Sequence, residues 1–217
     1  MKEDKLVTTY YQAISFYQKY QAKLFIAAGV IALVIVALVL MSNKRAKDNE
    51  TAAGLLAKVM PLYSTNAFKE AIEGDKTKNI VGLKEIVNKY GSTEQGETAK
   101  IFLADCYSML GKTEDAYKMY DDYSGSVTIF KAAANAGKAN YFEDKKEYEK
   151  AADLYREAVK YSEANPSNSD YLLRAGIDYL NAGKKTDAKA MFDKIKKDYK
   201  NTVAFSEVER YLTQIES

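Results

Sequence analysis

The chain has 217 residues, 47% hydrophobic and 29% charged, with 32 basic side chains against 30 acidic ones and a net charge of +2. This composition suits a folded domain large enough for a core. It contains no histidine and one cysteine, which excludes histidine acid–base chemistry, histidine metal ligation and serine–histidine or cysteine–histidine nucleophiles. Residues 24–217 carry 28 basic and 28 acidic side chains, a balance that argues against a nucleic-acid footprint.

In chain order, the first predicted element is an amphipathic helix in a juxtamembrane tail, residues 1–23. Leu6, Tyr10, Ile14 and Tyr17 recur at helical spacing, with Val7 and Tyr11 widening the stripe and Lys, Gln and Thr opposite. Tyrosine rings favour the headgroup region, so this helix is expected to lie along a lipid bilayer before turning into it. Contact with the helices of another membrane protein is the competing reading.

Residues 24–41 (LFIAAGVIALVIVALVLM) are uncharged and apolar, between Lys23 and the group Lys44, Arg45 and Lys47. As a helix they would extend about 27 Å, close to the hydrocarbon thickness of a bilayer. A transmembrane anchor is therefore expected over residues 24–43. A cleaved signal peptide fits less well. Glu3 and Asp4 interrupt the leading region, the apolar run exceeds the usual length, and Ser42-Asn43-Lys44-Arg45 is a poor cleavage site. A buried core helix is disfavoured by uniform apolarity. Basic flanks are nearly matched: Lys2, Lys5, Lys19 and Lys23 before the run, Lys44, Arg45 and Lys47 after it. The slight excess before it favours an inside amino terminus.

The remaining segment, 44–217, reads as a soluble repeat domain. When Ala116, Ala151 and Ala188 are aligned, Tyr120, Tyr155 and Phe192 fall four positions later. Gly111, Lys146 and Gly183 fall five earlier, Tyr107, Phe142 and Tyr179 nine earlier, and Ala104, Ala139 and Gly176 twelve earlier. The register spacings are 35 and 37 residues. A weaker unit places Asn79 in the alanine slot, Gly74 before it, Ala67 in the small slot, Glu70 in the earlier aromatic slot and Leu83 in the later one. The string from Leu83 through Ile86 and Tyr90 to Thr93 parallels the one from Phe192 through Ile195 and Tyr199 to Thr202. Each unit reads as two antiparallel helices: the small residue permits close approach, the aromatic fills the adjoining space, and the glycine lets the chain reverse. Lys146 in place of glycine is expected to loosen its turn. Single hairpins cannot bury their apolar face alone, so they should stack into a right-handed superhelix. A terminal capping helix is expected from residue 203 to 215, carrying Phe205, Val208, Tyr211, Leu212 and Ile215.

These residues resemble the tetratricopeptide repeat. The expected fold is thus all-α, a tetratricopeptide-like helical-hairpin solenoid preceded by an amphipathic helix and one transmembrane helix. The architecture, with the strings Phe68-Lys-Glu-Ala-Ile-Glu-Gly74-Asp75, Gly82-Leu83-Lys-Glu-Ile86-Val87-Asn-Lys-Tyr90 and Ile195-Lys-Lys-Asp198-Tyr199, is similar to the YfgM-type family of single-pass bacterial inner-membrane proteins. That resemblance implies a cytoplasmic amino terminus, a periplasmic repeat domain and association with Sec translocon subunits beside a membrane-anchored periplasmic foldase of the PpiD type.

Cys106 reads as a small core residue, and Gly91, Gly96 and Gly111 as helix-end glycines rather than a phosphate cradle. The pairs Asp121/Asp122 and Glu147/Glu149 read as solvated faces. No catalytic, cofactor or metal site is expected. Tetratricopeptide stacks bind partners on a concave face lined by the first helix of each pair. The residues placed there are Ile101, Asp105 and Ser108, then Ala136, Asn140 and Glu143, then Leu173, Ile177 and Leu180, with Arg174 beside them. The partner-binding set taken from these is Ile101, Asp105, Asn140, Glu143, Leu173, Arg174 and Ile177. Chaperone-binding relatives hold a terminal carboxylate with a Lys/Asn/Arg cluster in this groove. Asn140 and Arg174 match two parts, but Ile101 and Ala136 stand where the lysine would be. The alternative for Leu173, Ile177 and Leu180 is packing beneath the capping helix. The function expected is a non-enzymatic, membrane-anchored protein–protein interaction module assisting export or folding of envelope proteins. The alternative is a structural scaffold of another envelope assembly or cell-division complex.

Overall fold

The computed structural model describes residues 5–216, with side chains from 7 to 215. Lys2, Glu3 and Asp4 of the expected tail, and the side chains of Lys5 and Leu6, lie outside the described residues. The chain divides into one unit ending at Lys47 and a second beginning at Asp48.

Helix α1 runs from Lys5 to Ser64. The helix is unbroken between the tail and the apolar run, so the expected turn into the membrane is absent. No glycine pair or proline interrupts the ladder there; Pro61 lies in its last turn. Its most apolar 18-residue window has a mean hydropathy of 3.2 and is wholly unburied by the rest of the chain. Among the described residues this is the one helix long and apolar enough to cross a membrane.

In the second unit, residues 48–64 of α1 open a series of helices. They are followed by α2 (Phe68–Glu73), a two-stranded hairpin of β1 (Gly74–Asp75) and β2 (Ile80–Val81), and α3 (Leu83–Tyr90). Then come α4 (Glu94–Met109), α5 (Thr113–Asp121), α6 (Thr128–Asp144), α7 (Tyr148–Lys160), α8 (Asn168–Asn181), α9 (Lys185–Asp198) and α10 (Val203–Glu216). Consecutive helices pack as hairpins: α4 with α5, α6 with α7, α8 with α9, and α10 closes on α8 and α9.

The same turn closes four hairpins. At Asn66, Gly111, Lys146 and Gly183 the backbone is left-handed, with φ of 60°, 72°, 60° and 76°. In each, that residue's N–H bonds the carbonyl three back, and the next N–H bonds the carbonyl five back, at 2.8–3.0 Å. These bonds satisfy carbonyls that the ending helix leaves open. Lys146 makes the same pair as the glycines, so its turn is not loosened.

The first hairpin corrects the weaker repeat register. Its turn is Asn66 rather than Gly74, and its close-approach alanine is Ala71, fully buried, rather than Asn79, which lies exposed in the β-hairpin loop. Twelve residues separate Ala71 from Leu83, where four separate Ala188 from Phe192. The extra eight form the β-hairpin, which pairs Gly74 with Val81 and Asp75 with Ile80 and splits the second helix into α2 and α3. Asp75 Oδ1 fixes its loop, accepting from Thr77 N–H at 2.9 Å and Thr77 Oγ1 at 2.6 Å. Beyond the insertion the register holds. Ile86 and Ile195 are fully buried, and Thr93 and Thr202 each donate to the carbonyl three residues back at 2.8 Å. Both then accept from the N–H three residues on, as a helix N-cap does, at 3.0 and 3.3 Å.

The core follows the slots. Ala104, Ala139 and Gly176 on the first helices are buried, as are Ala116, Ala151 and Ala188 on the second helices. A Cβ on Gly176 would stand 2.2 Å from Phe192 Cε1, and one on Gly137 2.2 Å from Tyr120 Cε2, so only glycine admits those rings. Phe205, Val208, Tyr211, Leu212 and Ile215 of α10 join one apolar cluster with Phe192 and Ile195, the expected capping role.

Candidate functional site

The first helix of each hairpin carries a residue fifteen positions before the side chain that fills the hairpin, or twenty-three before it in the first, where the eight-residue insertion intervenes. In the second and third hairpins that filler is tyrosine, and its hydroxyl crosses to the first helix. Tyr120 Oη donates to Asp105 Oδ1 at 2.6 Å, and Tyr155 Oη to Asn140 Oδ1 at 2.5 Å. In the first and fourth hairpins the fillers are Leu83 and Phe192, and the residues in the corresponding positions are Met60 and Ile177, in the same apolar clusters.

Asp105 does not line an open groove. Tyr63 from residues 48–64 of α1 also donates to it, to Oδ2 at 3.1 Å, so its carboxylate sits between two hydroxyls. Burial raises its pKa, and the hydroxyls of Tyr120 and Tyr63 oppose that rise. Ile101, 2% exposed, packs with Ala104, Ala116, Tyr120 and Ala134 in the core rather than facing a partner. The expectation of an accessible Ile101 and Asp105 is therefore corrected: Ile101 packs within its own hairpin and against Ala134 of the next, and Tyr63 of the preceding hairpin closes over Asp105. Leu173 and Ile177 are half-buried in the cluster that includes α10, which is the packing alternative for that apolar row.

Asn140, Glu143 and Arg174 do come together. Arg174 Nη1 donates to Glu143 Oε2 at 3.0 Å and, more closely, to Asn140 Oδ1 and Tyr155 Oη. Its guanidinium lies 5.5 Å from the centroid of the Tyr155 ring. Tyr155 Oη also donates to Glu143 Oε2 at 3.1 Å. Asn140, Glu143 and Arg174 form one wall of a hollow of about 300 Å³ whose other lining includes Ser108, Thr113, Gly137, Tyr141 and Asp144. Asn140 and Arg174 are exposed at its mouth, while the Tyr155 ring is buried. Burial first, then the Glu143 charge, push the Tyr155 hydroxyl far up, so it stays a neutral donor at physiological pH. The hollow is polar, hydrogen-bonding and of mixed charge, suited to the backbone and polar side chains of a polypeptide. The sequence signal for the role of Tyr155 was its alternation with phenylalanine in one repeat slot, matched by Asn140 against Ile177 fifteen residues earlier.

The second unit is thus an array of four tetratricopeptide-like hairpins with a capping helix. Residues 170–202, which cover most of α8 and all of α9, match the tetratricopeptide repeat family. No curated protein matches the chain at a significant level.

Proposed function

We propose that this chain is a non-catalytic protein–protein interaction module, anchored by residues 24–43 in a bacterial inner membrane. Its repeat domain faces the periplasm and its amino terminus the cytoplasm. There it serves export or folding of envelope proteins beside Sec translocon subunits and a membrane-anchored foldase of the PpiD type. The observation that carries the interaction reading is the Asn140–Glu143–Arg174 wall, held on successive first helices at an open hollow of a repeat array. The exposed apolar stretch of α1 supports the anchor, and the likeness to YfgM-type proteins supports the compartment and partners. A tether confines the module to the bilayer plane and raises its effective concentration near membrane partners.

The test is in vivo crosslinking of the full chain from positions around the hollow. The Asn140→Ala/Arg174→Ala double variant should lose crosslinks to Sec subunits and the foldase. Hot-spot truncations of about 2 kcal/mol weaken affinity roughly thirtyfold. Undiminished crosslinks from the folded double variant would move docking to the span and the Tyr-rich tail. Protease added to spheroplasts should digest the repeat domain; a domain protected until the inner membrane is lysed would reverse the orientation.

A further inference from the structure

An apolar stripe on a helix that leaves a membrane into water needs a cover. Helix α1 carries such a stripe, because the tail continues the apolar run as one unbroken helix and does not turn onto the bilayer surface. Tyr10, Tyr17, Leu24, Ile31 and Leu38 recur every seven residues, from the tail well into the run. All five are exposed, by 43–63%. Three residues before each stand Val7, Ile14, Gln21, Ala28 and Ile35. This alternation of three and four is the seam of a coiled coil, with the second set at a and the first at d. The tail is where polar residues make the pattern discriminating. There Thr8 and Ser15 fall at b, and Gln12 and Lys19 at f, away from the seam; Phe16, at c, is the large apolar exception.

The composition of the seam selects its occupant. From Val7 to Leu38 no a or d residue is charged, and the lysines of this stretch, Lys19 and Lys23, fall at f and c. Two parallel copies therefore bring no cations face to face. Gln21 is the one amide in the seam, and an amide carries both donors and an acceptor, so it is complementary to its own counterpart in the same layer. A single polar a residue of this kind fixes register. Ala28 and Ala32, at a and e of the same side, give the small-x-x-x-small spacing at which helices approach closely in lipid. Residues 7–38 make a helix of about 48 Å, more than the three to four heptads a coiled coil needs.

We propose that α1 pairs with α1 of a second copy of this chain, parallel and in register, along the seam from Val7 to Leu38. The pairing rests on the anchored reading, since the span sets both copies at one depth; it does not depend on the hollow or on which side of the membrane the tail faces. Pairing brings two repeat domains onto one anchor, which gives avidity to a partner that engages both.

The test is cysteine crosslinking of the full chain in carbonate-washed membranes, where release into the wash would mark failure of the anchor rather than of the pairing. Tyr10→Cys and Tyr17→Cys probe the seam, and Gln12→Cys and Lys19→Cys the outward face. The wild type, whose Cys106 is buried, gives the background. On oxidation with copper phenanthroline the seam cysteines should give a disulfide-linked dimer of this chain, roughly tenfold more than the outward ones, because a disulfide needs Cα atoms within about 7 Å. Equal yields at all four positions, no dimer, or capture of the seam cysteines by another membrane protein would overturn the proposal. A second measurement avoids cysteines in the seam: energy transfer between labelled copies in vesicles, diluted with lipid. Ile14→Glu removes a buried side chain and sets like charges in one layer, and should weaken pairing about tenfold or more. Lys19→Glu, on the outward face, should leave it unchanged. Equal effects of the two substitutions would overturn the seam.

Discussion

In the two inner hairpins, Tyr120 and Tyr155 fill the space between helices, and Asp105 and Asn140 accept their hydroxyls on the first helix. In the two outer hairpins the fillers are Leu83 and Phe192, and their counterparts are Met60 and Ile177. A buried hydroxyl without an acceptor costs about 1–3 kcal/mol, so filler and counterpart change together. The choice made in the core thereby sets the polarity of the first helix one layer away. Only the third hairpin carries its polar pair to an open surface, because Tyr63 covers Asp105 in the second. The outer pairs are apolar where the array meets its ends, and at the fourth the apolar cluster continues into α10.

The strongest way to break this comparison is to empty the fourth hairpin. Phe192 is fully buried, with its ring over Gly176, which has no side chain to collapse into the gap. Phe192→Ala should cost about 3–5 kcal/mol in urea unfolding. A loss under about 1 kcal/mol would mean that this filler does not support the array.

A sharper test converts an outer hairpin into an inner one. Phe192→Tyr places a hydroxyl opposite Ile177, which offers no acceptor, and should destabilise by about 1–3 kcal/mol. Ile177→Asn alone strands an amide in the apolar cluster shared with α10. Together they recreate the pair found at Tyr155 and Asn140. The double variant should be more stable than the sum of the singles by about 1 kcal/mol or more, read from a double-mutant cycle. Simple additivity would show that filler and counterpart are independent.

The repeat itself was legible because its signals are local. Left-handed turns need glycine or a tolerant residue, and close helix contacts need small ones, so Gly111, Gly183, Ala104, Ala139 and Gly176 report the register directly. The first hairpin was misread because the eight-residue β-hairpin lies inside its second helix. Gly74, at φ 88°, serves that insertion and imitates the turn glycine, while the true turn is made by Asn66. The candidate site was half legible. Helical spacing placed Asn140 and Glu143 in the groove, and likeness to the Lys/Asn/Arg cluster added Arg174, but spacing carries no information about neighbours from other hairpins. Tyr63, which covers Asp105, lies 42 residues away. Cys106 is buried as expected for a core residue, and burial pushes its thiol up to about 12, out of the reactive range.

The smallest expected effect concerns the four turns. Asn66, Gly111 and Gly183 are residues that enter the left-handed region at little cost, whereas Lys146 adopts φ 60° with a Cβ pressed toward the following carbonyl. That strain is worth about 1–2 kcal/mol for an ordinary side chain. Lys146 is exposed, and its backbone N–H already bonds Glu143 O at 2.8 Å, as a glycine there would. Lys146→Gly relieves the strain, offset by the roughly 0.5–1 kcal/mol of extra freedom that glycine gives the unfolded chain. The net expectation is a gain of about 0.5 kcal/mol, seen as a higher urea midpoint with an unchanged slope. The same substitution at Asn66 should gain less, since asparagine tolerates this conformation through its short polar side chain. If Lys146→Gly lowers the midpoint instead, the lysine stem contributes packing that its exposure does not reveal, and the third turn differs from its three counterparts despite sharing their hydrogen bonds.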